Sequence, residues 1–600
     1  MNNIALWLAS AGLALVSSGA PAAAAQEAVS QNPSKSLASL FAASDEANLR
    51  RNPLNALFRG DLRFADRLGD FTSDEYYAAE RAAAGSELAQ LARIDRAALS
   101  PSERISYDVF KWQRELDLKG VMPDMLALTA VRPIDHFNGI HTGFAEISSG
   151  ESVAPFKTVK DYENGLGRMD DFVTILDRSI VRMREGIASN VVQPKLVMDN
   201  VVEQLDAMLA EGVEGSSFMK PLTKFPGDFS AADKARLKGA YTQSISTELR
   251  PALARLRNFI ATEYLPKART SVGLGDMPGG EKLYAYQVAS STTTDLTPDQ
   301  IHRIGLSEVT RLQAEMEKVK DQVGFKGTLK QFFEHIRTDP KFKPQSREWL
   351  QQSYVAIGKR LDTTLPKMFA TLPKAPLEIR PVPALTEKGA ARGSYNPGTP
   401  DGSRPGIFYF NAYDFPSRTT PGMETLYLHE GAPGHHFQIS LAQENEALPE
   451  FQRFGGNTAY AEGWGLYAET LGRELGVYTD PYQYFGYLDS QLFRAIRLVV
   501  DTGIHSKGWT RDQTIKYILD NSSRGLSNAT AETERYIAIP GQALAYKIGQ
   551  LKISELRARA EKALGPRFDI REFHEQVLGT GALPLAVLER KIDDWIAAKK

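Results

Sequence analysis

Apolar residues recur at three- and four-residue spacing through most of this chain, the period of helices with one buried face. Long Leu/Ala/Arg/Glu-rich stretches run through residues 170–210, 231–264 and 542–565. Three helix starts are marked by capping chemistry. Ser73 precedes Asp74 and Glu75; Ser100 precedes Pro101 and Glu103; Thr297 precedes Pro298 and Gln300. In each the hydroxyl can accept from a free amide of the first turn, and in the last two the Glu or Gln can reach back to the cap. After Thr297 a helical face continues through Ile301, Ile304, Val309, Leu312 and Met316. The best strand signal is the short apolar run Gly406–Asn411, bounded by turn residues. The pattern predicts a mostly α fold with a small sheet near residue 406. A Gly/Pro-rich break at residues 273–280 separates an expected N-terminal helical lobe (37–280) from a second lobe (281–600).

The N-terminus departs from this pattern. An apolar run from Ile4 to Val16 is followed by Gly19, Ala20, Pro21 and four alanines. It is too short for a membrane-spanning helix and has the layout of a secretory signal peptide, residues 1–25, cut after Ala25. A polar linker is expected over 26–36. No later stretch reaches 18 apolar residues, so the expected product is a soluble periplasmic or secreted protein without stable membrane insertion.

Composition narrows the chemistry. The 600 residues hold 71 Lys and Arg against 73 Asp and Glu, so the chain lacks the basic excess of a nucleic-acid binder. It has no cysteine. That excludes disulfides, thiolate catalysis, iron–sulfur clusters, cysteine zinc sites and a lipid-linked cysteine. Metal chemistry is left to His, Asp and Glu, and three of the nine histidines fall within eight residues: His429, Glu430, Gly431, Ala432, Pro433, Gly434, His435, His436.

This segment looks like a zinc-peptidase H-E-x-x-H helix with an insertion. In the ordinary motif two His at i and i+4 reach one metal and the intervening Glu is the base. Here i+4 is Pro433, which cannot ligate. On a regular helix neither His435 nor His436 would chelate with His429. Pro433 clashes with the carbonyl four residues earlier, that of His429, and Gly434 frees the backbone to turn. The helix is therefore expected to be interrupted, bringing His435 or His436 back beside His429. Downstream, Glu462 and Glu469 stand seven apart in an apolar helical stretch, two turns along one face. Buried carboxylates need a partner or a metal. Glu462 is expected to be the third ligand and Glu469 to orient a ligand His, with the reverse assignment open. His136 and His141 lie in a loop-like segment; His302, His335 and His574 read as ordinary helix residues.

These residues resemble the bacterial family called domain of unknown function 885, whose pattern is roughly H-E-x-x-P-G-H followed by A-E-G-W-x-L-Y-A-E. The resemblance continues outside the site. It includes Thr293 to Pro298, Tyr395 to Gly398, Asp401 to Gly406 (with Ser403), and Arg497 to His505 with Gly508 and Trp509. It also takes in Glu534 to Tyr536, Pro540 to Ala543 and Gly581 to Leu585. It spans most of the mature chain and is strongest beyond about residue 280. The resemblance implies a zincin-type metallopeptidase with a helical body like those of thimet oligopeptidase and angiotensin-converting enzyme, one zinc ion per chain, and His435 rather than His436 as ligand. His429, His435 and Glu462 would then hold a zinc-activated water, with Glu430 as general base and acid.

The remaining expectations concern the substrate. His505 and Tyr536 are candidates for the oxyanion donor, and Asp501 for a supporting carboxylate. Arg497, Arg535, Tyr546 and Lys547 are candidates to hold a short peptide, the cations at a substrate carboxylate. The strand Gly406–Asn411 could pair with an extended backbone. Two alternatives stand beside the peptidase: a zinc amidohydrolase or esterase on a non-peptide acyl substrate, and a non-catalytic helical clamp for peptides.

Overall fold

Helices account for 69% of the chain and a single three-stranded sheet interrupts them, as the apolar periodicity predicts. The structure is a computed structural model describing residues 32–382, 387, 391–402, 404–413 and 418–600. The expected signal peptide, linker residues 26–31 and Ser403 lie outside the described residues. The linker was expected to reach residue 36, but the first helix, Pro33–Arg51, already starts at Pro33, with the Asn32 side chain accepting from the Ser34 amide. A Pro at the first helical position needs no amide partner, which favours this earlier start.

The three capped helices begin at the residues the caps specify. Ser73 accepts from the Tyr76 amide ahead of helix Asp74–Leu91. Ser100 with Glu103, and Thr297 with Gln300, close reciprocal capping boxes ahead of helices Pro101–Gly120 and Pro298–Gln322. The expected break at 273–280 is no gap in the core. One apolar cluster joins Leu253 and Leu256 to Val309, Phe485 and Val499, so side chains from both sides of it pack together.

The sheet has the order β1 (Leu377–Pro381), β3 (Gly406–Phe410), β2 (Gly393–Asn396). β3 runs parallel to β1, with Leu377 opposite Gly406, and antiparallel to β2, with Gly393 opposite Phe410. The predicted strand is thus the central one and is paired on both sides. Its buried residues, Phe408 and Phe410, pack on Tyr354 at ring-centroid distances of 5.0 and 5.5 Å. Phe408 also meets Tyr427, at 6.2 Å, on helix Met423–Glu430. The sheet is therefore seated beside the helix that ends in His429 and Glu430.

Helix Thr458–Thr470, which carries Glu462 and Glu469, lies against helix Ala545–Leu564. Their approach depends on two glycines. A Cβ on Gly463 would fall 2.5 Å from the Gly549 carbonyl carbon, and one on Gly549 would fall 1.8 Å from the Ala459 oxygen. Backbone cannot yield as a flexible side chain can. Gly463→Ala is expected to cost at least about 1–3 kcal/mol, read as a lowered denaturation midpoint. Gly456→Ala, where a Cβ meets nothing within 4 Å, should leave the midpoint near the wild-type value.

Candidate metal centre

Helix Met423–Glu430 closes with the Gly431 amide donating to the Tyr427 carbonyl at 2.8 Å. The chain then loops out over Gly431–Gly434, with a cis Ala432–Pro433 peptide, and a new helix, His435–Glu444, begins. Gly434 is required here: a Cβ would lie 1.9 Å from the His429 carbonyl oxygen and 2.3 Å from that of Leu428. The Trp464 indole donates to the Pro433 carbonyl at 2.8 Å and fixes the loop to helix Thr458–Thr470. The interruption expected from Pro433 is what the backbone shows.

It brings the His429 and His435 rings within 4.8 Å of each other, nearly perpendicular at 85°. Glu462 meets both, its Oε2 standing 3.5 Å from His429 Nε2 and 3.6 Å from His435 Nε2. All three potential ligand atoms lie within 4.8 Å of one another. Two donors bound at about 2.0–2.1 Å to a tetrahedral zinc stand roughly 3.3–3.4 Å apart, so this donor set fits such an ion with little movement. Behind it, Glu469 Oε1 lies 2.9 Å from His429 Nδ1, and its Oε2 accepts from Gln491 Nε2 at 3.0 Å. Glu469 is 1% exposed. The His429 ring can lie against this helix because residue 465 is glycine; a Cβ there would come within 2.8 Å of the imidazole.

Of the two assignments left open by the residues alone, the structure places Glu462 at the cluster and Glu469 behind His429. His436 turns elsewhere. Its Nδ1 lies 3.0 Å from the Tyr395 hydroxyl and 3.4 Å from Ser440 Oγ, and burial pushes it down to about 4.

The electrostatics are those of a cation site. Burial alone would depress His429, but hydrogen bonds to Glu462 and Glu469 and the charge of Glu430 overturn this and lift it to about 10. Burial likewise opposes ionisation of Glu462, yet the two imidazoles hold its carboxyl well below the usual range. Three carboxylates thus converge on two imidazoles. A divalent cation would replace the imidazolium protons as the compensating charge.

The cluster opens into a cavity of about 1220 Å³ lined by His429, Glu430, His435 and Glu462. Glu430, the last residue of its helix, is buried beside the ligands. Gly393, Ser394 and Tyr395 of β2 form part of the rim, and Arg494, Arg497, Glu532, Arg535 and Tyr546 part of the wall. Arg497, Arg535 and Tyr546 thus line the same cavity as the cluster.

Other expected site residues do not. His505 is buried off the cavity, its Nδ1 accepting from the Leu274 amide at 3.2 Å and its Nε2 bonding the Tyr536 carbonyl at 2.9 Å. Burial pushes it down to about 3, so it is a neutral structural residue and no oxyanion donor. Asp501 accepts from the Tyr284 hydroxyl at 2.6 Å and from the Gly541 amide; it touches no ligand histidine. The Tyr536 hydroxyl accepts from Arg497 Nε at 3.1 Å and donates to Glu532, so it positions Arg497 from behind. Lys547 is bound by Glu308 at 3.0 Å and by Gln491 and Gln550, 1% exposed and outside the cavity lining. β3 cannot receive a peptide because both its edges are taken; β2, whose outer edge is unpaired among the described residues, bounds the cavity instead. His141 is no loop residue either, but is buried in helix Ile140–Ile147 against Gln204.

Sequence reasoning missed Arg494 and the β2 edge. Arg494 stands three residues before Arg497 on helix Pro481–Lys507, so the i, i+3 spacing was available as a signal. The strand pairing of 393–396 had no local signal.

Fold and site together define a mostly α protein with a partly buried His–His–Glu cluster beside a small sheet. Residues 53–592 match the family described as a bacterial protein of unknown function, DUF885, and the chain belongs to that family. Its fold is similar to that of a "putative lipoprotein" from Colwellia psychrerythraea, 29% identical, with a TM-score of 0.86 over 95% of this chain and 100% of that one. A second "putative lipoprotein", of unknown function, from Shewanella oneidensis shares the fold at 20% identity and a TM-score of 0.72, over 92% and 99% of the two chains. The comparison with curated proteins gives no match.

Zinc offered to the purified protein should be retained by His436→Ala and lost from His435→Ala, read by elemental analysis after gel filtration. Glu469→Gln should bind zinc about 10–100-fold more weakly than wild type in a chelator competition.

Proposed function

We propose that this protein is an exported zinc-dependent peptidase of the zincin type acting on short peptides. One observation carries the reading: the His429–His435–Glu462 donor set lines, with Glu430, a cavity also lined by β2, whose outer edge is unpaired among the described residues. Zinc, when held by these three residues, would supply Lewis acidity toward a carbonyl and acidify water.

The chain's own groups account for the rest. The free edge of β2 can donate to and accept from an extended peptide backbone, laying it along the cavity rim. Glu430 is placed to take a proton from the attacking water and pass it to the leaving amine. Glu469 holds the His429 ring in one orientation and tautomer, as the carboxylate behind a ligating imidazole does elsewhere. Tyr546, which lines the cavity where His505 and Tyr536 do not, takes the role of donor to a developing oxyanion. Burial raises the Tyr546 phenol above its ordinary value, and the charge of Glu462 adds to this.

The open strand edge favours a peptide over a small non-peptide ester or amide, which needs no such edge. The buried Glu430 favours a hydrolase over a silent peptide clamp, which needs no base. Export rests on the N-terminal pattern, and among the described residues no helix is long and apolar enough to cross a membrane.

The test is a mixed peptide library incubated with the zinc-loaded chain and read by mass spectrometry. Cleavage products are expected from wild type. Glu430→Gln should retain its zinc and lose turnover by about 10²–10⁴-fold. Undiminished turnover in that variant would contradict the assignment of Glu430 as base.

A further inference from the structure

One wall of the cavity is unusually cationic. Among the described residues seven arginines line the cavity as a whole, Arg494, Arg497, Arg524 and Arg535 among them, whereas Asp489 and Glu532 are the carboxylates outside the Glu430, Glu462 and Glu469 group. Those two are already engaged. Asp489 accepts from Ser523 Oγ at 2.6 Å and from Arg524 at 3.4 Å. Glu532 is shared by Arg497 at 3.0 Å, Arg535 at 3.6 Å and the Tyr536 hydroxyl.

Arg494 bonds Ser490 Oγ at 2.9 Å and has no carboxylate within ion-pair distance among the described residues. Four of these guanidinium nitrogens are buried without an acceptor among the described residues: Arg494 Nε, Arg497 Nη1, Arg524 Nε and Arg535 Nε. Burial pushes Arg494 below its ordinary value; the charge of Glu469 opposes this, while those of Arg497 and Arg524 add to it. A buried guanidinium left short of both acceptors and counter-charge is costly, whereas a carboxylate supplies two acceptors and one charge in a plane that matches the fork. Tyr546 lies beside this wall, its ring centroid 4.7 Å from the Arg497 guanidinium carbon. The cationic wall and the metal cluster therefore belong to one cavity.

We infer that Arg494, Arg497 and Arg535 form a carboxylate-binding subsite, so that the preferred substrates are peptides presenting an anionic group to this wall. The inference rests on the peptidase reading for the word peptide, and on the wall alone for the word anionic. The carboxylate has two sources, a free C-terminus or an acidic side chain. A C-terminal carboxylate held here would make the enzyme trim peptides from that end.

Both sources are separated by three probes, acetyl-Ala-Ala-Ala-Phe as the free acid, the same peptide as its amide, and acetyl-Ala-Ala-Glu-Phe-amide. Binding is measured by calorimetry on the zinc-loaded Glu430→Gln protein, and hydrolysis on wild type. The free acid is expected to bind roughly 10- to 100-fold more tightly than the neutral amide. If the glutamyl amide matches the neutral amide, the subsite reads the C-terminus; if it matches or exceeds the free acid, the subsite reads the side chain. In the Glu430→Gln background Arg494→Ala should remove most of the preference, and Arg494→Lys, which keeps the charge, should retain part of it. Equal binding of all three probes, or no binding of either anionic probe at millimolar concentration, would overturn the subsite. Equal kcat/KM for the three would do the same while leaving the peptidase reading intact. Selective binding of an anionic probe without hydrolysis of any probe by wild type would uphold the subsite and count against the peptidase.

Discussion

The His429 imidazole, 3% exposed, stands between two carboxylates, Glu462 on its Nε2 side and Glu469 on its Nδ1 side. A polar ring buried this deeply is costly to the extent that its nitrogens go unpaired, and here both are engaged. Both carboxylates come from one helix, two turns apart, so their spacing is set by helix geometry. That helix can reach His429 because residue 465 has no side chain, and it is held in place by the Gly463–Gly549 crossing on its other side. Misplacing the helix would disturb the ligand and its support together.

The loop at Gly431–Gly434 solves a related problem. In an uninterrupted helix two ligands must sit at i and i+4, with the base between them. Here the chain leaves the helix directly after Glu430 and re-enters helix at His435, so the second imidazole arrives from a separate helix and meets the first nearly at right angles. Glu430 consequently occupies a helix end beside the cavity. Trp464, donating to the Pro433 carbonyl, ties this loop to the helix of the third ligand. The three donors are thus held through one buried assembly, and its excess of carboxylate over imidazole is a setting that favours a divalent cation.

Much of this was legible in the sequence because the constraints are local. Ser100 with Glu103, and Thr297 with Gln300, specify helix starts within four residues. Pro433 announces an interruption by its ring alone, and Glu462 and Glu469 share a face by their spacing. What could not be read depends on distant partners. His505 looked catalytic in the sequence, but its nitrogens are engaged by Leu274 and Tyr536, and Lys547 is claimed by Glu308. The strand at Gly406–Asn411 was visible as a short apolar run between turn residues, yet its central position depends on pairing with 377–381 and 393–396, which no local pattern reveals. Arg494 shares a helix face with Arg497 by its spacing, but that it has no carboxylate within ion-pair distance among the described residues is a property of the folded cavity.

The central claim is that His429, His435 and Glu462 hold one metal ion, and anomalous diffraction at the zinc edge from a crystal grown with zinc tests it most directly. The account predicts a single strong peak among these three side chains, with Glu469 still bonded to His429 and His436 uninvolved. A zinc-replete crystal without a peak there, or with the ion on His436, would contradict it.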